Sequence, residues 1–289
     1  AFSNAQTILN APKHEEHSTD RPHISTAVIG TRGGAGASTI AASLAWTFSQ
    51  TQGHPTGFLD LDVHFGTGAL AMDLEPGRGL TDAIDNPSRI DGLFIERAMI
   101  KANEKLSILS AEAPMSSPVL TDGSAFYQLQ EEFRAAFENT VIDMPRSMLI
   151  AYPHLMQDVN MAVVTTELTL ASARDTIRVL AWLKQNAPHC KTLVVANNVQ
   201  TTALEISRKD FESTIERKID LILPSDPKAT AQAAKVGQPI VEAVRGSKLS
   251  SGIINLADMI AGSAAEAAEA AQEVKKSKKS VMSGFKSLL

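Results

Sequence analysis

The feature that most limits what this chain can become is an alternation. Seven short runs of continuous apolar residues are separated by longer helical stretches. The runs are Ile24–Ile29, Thr56–Leu61, Leu106–Leu109, Thr140–Ile142, Met161–Val164, Thr192–Ala196 and Ile219–Leu223. The stretches between them include Ser38–Gln50, Leu93–Ile100, Ala125–Glu138, Ala171–Gln185, Arg208–Glu216 and Lys228–Lys235. A strand that is apolar at successive positions is covered on both faces. The pattern therefore predicts a three-layer α/β/α fold with a mostly parallel twisted sheet and right-handed crossovers. Ligands of such sheets sit at the carboxyl ends of the strands.

The first run leads straight into Gly30-Thr31-Arg32-Gly33-Gly34-Ala35-Gly36-Ala37-Ser38-Thr39, and a helix of good formers follows. Glycines let the backbone curl so that successive amides point inward, and the helix N-terminus adds partial positive charge. A strand, a glycine turn and a helix in that order suit a polyphosphate. Residues Gly33, Gly34, Ala35, Gly36, Ala37, Ser38 and Thr39 form the predicted cradle. The Ser38 hydroxyl is placed to ligate Mg²⁺, and that of Thr39 to reach an inner phosphate.

The second run ends in Asp60-Leu61-Asp62. Two carboxylates two residues apart at a strand end share a face, and beside this turn that face is the phosphate side. The fourth run ends in Asp143-Met144-Pro145-Arg146, and an apolar strand with a terminal Asp can present it to Mg²⁺-bound water. The metal candidates are thus Ser38, Asp60 and Asp143, with a structural role as the alternative for Asp60. Arg146 stays open between a phosphate or interface cation and a surface residue. Asn197 and the segment Pro224-Ser225-Asp226 stand at two further strand ends, where turn formation competes with a ligand role.

The spacing Arg32-Gly33-Gly34-Ala35-Gly36-Ala37-Ser38 resembles K-G-G-x-G-K-[ST], the deviant Walker A signature of the ParA/MinD class of P-loop ATPases. Together with Phe58–Asp73, Val141–Ser147, Thr165–Leu180 and Leu223–Glu242, the chain resembles the CpaE/TadZ branch of that superfamily over about residues 24–262. The resemblance implies ATP or ADP with Mg²⁺ and a homodimer that sandwiches the nucleotide. It implies a cytoplasmic protein recruited to a cell pole or the inner face of the membrane, working beside the secretion motor ATPase of tight-adherence pilus assembly. It also implies a receiver-like domain upstream. Arg32 would replace the lysine that reaches across the dimer, and Asp62 would position the attacking water; these are the catalytic candidates. Asn197, Pro224 and Asp226 would flank the adenine.

Ala37 stands where that signature has the lysine on the β- and γ-phosphates. Losing a charge-assisted contact costs about 1.5–3 kcal/mol, or roughly 10- to 150-fold in affinity. The expectation is a slow ATPase, or a nucleotide binder without turnover, because the transition state needs cations around the transferring group. The alternatives are a scaffold of the same fold that needs no nucleotide, and a DNA-partitioning ATPase.

Charge bears on the last of these. The net charge is −5, yet residues 274–289 carry five lysines and no acid, which leaves −10 on the rest. An acidic body argues against nucleic acid as a partner. With 44% apolar residues and no run of the roughly 20 that a spanning helix needs, neither wholesale disorder nor a polytopic membrane protein fits. The single Cys190 excludes disulfide scaffolds and cysteine-ligated metal and points to the cytoplasm. The chain divides into a flexible linker (1–22), a nucleotide-binding domain (23–262) and a helical extension with a basic tail (263–289). In the tail Val281, Met282, Phe285, Leu288 and Leu289 share one helical face among lysines. Such a helix suits a membrane surface or a partner protein, with a frayed tail as the third reading.

Overall fold

Backbone groups in a run of Val, Ile, Leu and Ala must find partners away from water, and a sheet buried on both faces supplies them. The computed structural model describes residues 23–119, 121–200 and 205–266. Its strands are β1 (Ile24–Gly30), β2 (Thr56–Asp60), β3 (Ile100–Lys101), β4 (Leu106–Leu109), β5 (Asn139–Asp143), β6 (Met161–Thr166), β7 (Lys191–Val199) and β8 (Leu221–Pro224). They form one sheet in the order β3-β4-β2-β5-β1-β6-β7-β8. All neighbours are parallel except β3 and β4.

The helices are α1 (Ala37–Trp46), α2 (Gly79–Asp85), α3 (Gly92–Ala98), α4 (Ser124–Ala136), α5 (Arg146–Ala151), α6 (Leu170–Asn186), α7 (Arg208–Thr214), α8 (Pro227–Val236) and α9 (Ile240–Ala243). A further helix, α10, covers 248–266 of the described residues. The layers follow from side-chain alternation along each strand. In β1, Ala27 and Ile29 pack with Leu80 of α2, Phe126 and Phe133 of α4, and Leu183 of α6. Val28 points the other way, to Ile40 and Leu44 of α1 and to Ile253, Leu256 and Ile260 of α10. A third cluster joins Val194 and Ala196 of β7 to Phe211 of α7. This is the expected three-layer α/β/α arrangement.

All seven predicted strands are present, Leu106–Leu109 with the expected ends and the other six with shifted ones. Strand β3 falls where the sequence pattern predicts the end of a helix through Ile100. Instead α3 stops at Ala98, Met99 turns extended, and Ile100 and Lys101 pair antiparallel with Ile108 and Ser107. Two residues carry no period, so only the partner strand defines them. The short helices α2, α5 and α9, of four to seven residues, are not among the predicted stretches. After α1 the chain makes a π-helical turn, Thr47–Thr51, where the Thr47 hydroxyl donates back to Ser43 O at 2.7 Å. The boundary at 262 falls inside α10. The linker 1–22 and the tail residues Val281, Met282, Phe285, Leu288 and Leu289 lie outside the described residues. Among the described residues no helix is long and apolar enough to cross a membrane.

Candidate nucleotide site

Strand β1 lies between β5 and β6, and the turn leaves its carboxyl end at the middle of the sheet. Gly34 and Gly36 both have φ +84°, a conformation that costs an L-residue roughly 1–2 kcal/mol. Gly36 is also tight, since a Cβ there would lie 2.3 Å from Asn197 Nδ2. In front of Gly33 and Gly34, by contrast, nothing lies within 4 Å of where a Cβ would be. An open, glycine-walled concavity ahead of α1 is what a phosphate approaching the backbone requires.

The turn is braced from three sides. Thr31 N donates to Thr165 O at 2.9 Å, and its hydroxyl bonds Thr166 Oγ1 at 3.2 Å, which in turn contacts Thr176 Oγ1 at 3.0 Å. Asn197 Nδ2 donates to Ala35 O at 3.0 Å. Arg146 donates from Nη1 to Thr31 O.

Two cavities meet at the turn. One, of about 550 Å³, is lined by residues 32–39 together with Gly30, Asp62, Asp143, Arg146 and Ser147. The other, of about 490 Å³, is lined by Gly34, Gly36, Thr39, Asn197, Asn198, Pro224 and Asp226 among others. Both volumes fall in the range of small-molecule sites. Because Gly34, Gly36 and Thr39 border both, an elongated ligand could lie with one end in each.

Register sets the acids. Asp143 of β5 is paired with Asp60 of β2 and with Val28 of β1. Burial pushes the Asp143 carboxyl up to about 7, helped by the negative charges of Asp60 and Asp62 and opposed by the Ser38 hydroxyl. Burial likewise raises Asp60 to about 6, against hydrogen bonds from the Gly68 and Asp62 amides. Of the two, Asp143 lines the open cavity, and a raised carboxyl there marks a place where a cation would be welcome.

No protein-family model and no curated protein matches the chain. Among solved structures it is similar to a ParA family ATPase from Chlorobium tepidum TLS, with TM-score 0.74 and 19% identity over 81% of this chain and 97% of that one. It is similar to the MinC:MinD cell division complex of Aquifex aeolicus, with TM-score 0.68 and 20% identity over 83% and 96%. The septum site-determining protein MinD complexed with Mg-ADP, from Pyrococcus horikoshii OT3, gives TM-score 0.62 and 19% identity over 82% and 95%. The chain has the ParA/MinD P-loop fold.

Within that ParA/MinD fold the predicted residues fall as follows. Gly33, Gly34, Ala35, Gly36, Ala37, Ser38 and Thr39 line the first cavity with Asp62 and Asp143, although Ala35 is itself buried. Asn197, Pro224 and Asp226 line the second. Strand β7 does not end before Asn197 but continues to Val199 through an irregularity between Ala196 and Val199. That irregularity, with Asn198 at φ +55°, re-aims Asn197 toward the turn, as bulges do. Asp226 caps α8 by accepting from Ala229 N at 3.0 Å.

Asp60 departs from the expected common face. It is fully buried, accepts from Gly68 N at 2.8 Å and Asp62 N at 3.1 Å, and is not in the cavity lining. Asp62 lies beyond the end of β2, so the alternation of an extended strand no longer governs it. Of the two roles left open for Asp60, this geometry fits the structural one. Asp62 accepts from Phe65 N at 3.1 Å and faces the cavity. Arg32 turns out to be paired within its own chain, to Asp175 of α6 at 2.8 Å. No sequence signal marked Asp175.

The residues present fit a polyphosphate through the open amides of Gly33 and Gly34. Among the described residues no group of three His, Cys, Asp or Glu could hold a metal by itself. Ser38 and Asp143 instead offer hard oxygens beside the phosphate space, and Mg²⁺ takes one or two carboxylates plus phosphate oxygens.

Proposed function

We propose that this chain is a nucleotide-dependent positioning switch, with a domain over residues 23–262 that binds ATP or ADP with Mg²⁺ and dimerises over it. The observation that carries this is the glycine turn, with Gly33 and Gly34 fronting open space between two cavities that share its residues. Phosphates would take the turn amides and the Ser38 and Thr39 hydroxyls, and adenine the side with Asn197 and Pro224. Mg²⁺, when bound, would neutralise phosphate charge beside Ser38 and Asp143. Asp62 would orient water and Arg32 would reach the partner subunit's nucleotide. With Ala37 in place of an ammonium, hydrolysis is weak or absent.

Large apolar side chains support a dimer over this face. Phe65, Met115, Ile150 and Leu170 are 65%, 80%, 77% and 71% exposed, and they stand on the segments leaving the carboxyl ends of β2, β4, β5 and β6. Apolar exposure around a site is characteristic of a protein interface.

The finer reading rests on the resemblance to CpaE/TadZ: a marker at the pole or the inner membrane face for tight-adherence pilus machinery and its secretion motor ATPase. Attachment would use the basic stripe of residues 274–289, and vesicle co-sedimentation of the whole chain and of one ending at 273 tests it. Ala37 favours one other reading, a scaffold of this fold that needs no nucleotide. Thermal melting with millimolar Mg²⁺-ATP separates them. A raised melting temperature supports the switch, and an unchanged one leaves the scaffold.

A further inference from the structure

We infer that Arg146 is the phosphate-binding cation of this site and replaces, from the first residue of α5, the ammonium group that Ala37 removes. The inference rests on the nucleotide reading above and concerns which side chain of this chain neutralises the phosphates.

The charged side chains lining the first cavity are Arg32, Asp62, Asp143 and Arg146. A triphosphate brought among two carboxylates needs cationic partners from the protein as well as the metal. Arg32 is paired elsewhere, with Asp175 at 2.8 Å, and in the reading above it serves the partner subunit's nucleotide. Arg146 is not, since among the described residues it is in no ion pair, and its guanidinium is held over the turn by donating to the Thr31 carbonyl.

Backbone placement strengthens the case. Arg146 follows Asp143, Met144 and Pro145, so the tip of β5 that presents a carboxylate to the metal region presents this cation three residues later. Pro145, with φ −59°, stiffens the step into α5. The Met144 amide is fixed to Val28 O of β1 at 3.0 Å, which ties the tip of β5 to the strand from which the glycine turn springs.

The chemistry of arginine completes it. A guanidinium carries five N–H donors in a planar fork. One can stay on Thr31 O while others meet phosphate oxygens, so the side chain need not give up its anchor to bind. A lysine ammonium has three donors on one atom but no planar fork, so it matches a pair of phosphate oxygens less well. Arg146 is exposed at the surface, which leaves it room to adjust over an entering ligand.

Calorimetry on the full chain tests this, with Mg²⁺-ATP and AMP as titrants. Arg146→Ala should weaken ATP roughly 10- to 150-fold and AMP by less than about threefold, because AMP ends before the β- and γ-phosphates. Ala37→Lys added to Arg146→Ala should restore most of the ATP affinity, since it returns charge to the turn without returning the bond to Thr31 O. Equal ATP affinity in wild type and Arg146→Ala overturns the inference while the nucleotide reading stands. Equal losses for ATP and AMP, with no rescue by Ala37→Lys, make Arg146 a brace for the turn and also overturn it. An absence of heat with wild type removes the nucleotide reading itself.

Discussion

Arg32 Nη1 donates to Asp175 Oδ2 at 2.8 Å, linking the glycine turn to α6 across 143 positions of sequence. Arg178 lies 3.5 Å from the other oxygen of the same carboxylate. If Arg32 acts on a partner's nucleotide, it must first leave Asp175. Asp175→Asn should therefore shift ATP-driven dimer formation to lower protein concentration, and Arg32→Ala should abolish it. The pair is half exposed on the arginine side, so breaking it costs less than about 1 kcal/mol, and the melting temperature should barely move. Light scattering behind size exclusion, with and without Mg²⁺-ATP, reads both variants. A dimer fraction unaffected by Arg32→Ala would end the cross-dimer role.

Gly36→Ala should damage the turn without reaching the core. The new Cβ meets Asn197 Nδ2 at 2.3 Å and must adopt φ near +84°. Asn197 would then lose its bond to Ala35 O, so backbone strain adds to a lost hydrogen bond. The sum is roughly 2–3 kcal/mol, or several degrees in melting temperature for a domain of this size. Urea titration measures it, and Asn197→Ala in the same background should cost little more because the contact has already gone.

The layers were legible because strand burial on both faces writes an unbroken apolar run into the sequence, as in Val28–Ile29 and Val163–Val164. The glycine turn was legible for a similar reason, because Gly34 and Gly36 need a conformation that few other residues accept. What escaped depends on partners far away in the chain. Asp175 is one aspartate on an ordinary amphipathic helix until the fold sets it against Arg32. Asp60 looked like a second cavity carboxylate, since period-two alternation was carried past the end of β2; the Gly68 amide that turns it inward comes from a loop with no pattern of its own. Ile100 and Lys101 form a strand only because β4 is there to pair with them.

Asp62→Ala is the test of water positioning. Its carboxylate faces the cavity and accepts from the Phe65 amide. ATP affinity should change by less than about threefold, while any phosphate release by the wild type should fall at least tenfold. Ala37→Lys should act in the opposite direction and raise turnover, since it returns a cation to the transferring phosphoryl group. Turnover unchanged in Asp62→Ala would move the catalytic role to another residue.

The pair Asp60 and Asp143 makes stability depend on pH in a direction unusual for carboxylates. Burial raises both, to about 6 and about 7, above the values an unfolded chain would have. The folded state then binds more protons than the unfolded state, so unfolding free energy falls as pH rises from about 4 through 7 and levels off above. His23, lowered mainly by burial, works against this trend below about pH 6.5, so the comparison must be made against a variant. Asp143→Asn removes the Asp143 carboxyl and relieves Asp60 of a neighbouring charge. Melting temperatures from pH 5 to 8 should fall more steeply with pH for the wild type than for Asp143→Asn, and the two curves should separate most at pH 8, where the variant is the more stable. Bound Mg²⁺ with ATP should flatten the wild-type curve, because a cation beside Asp143 favours the ionised form that burial opposes. Parallel curves for the two proteins would mean that water reaches Asp143 freely and that its burial does not govern its charge.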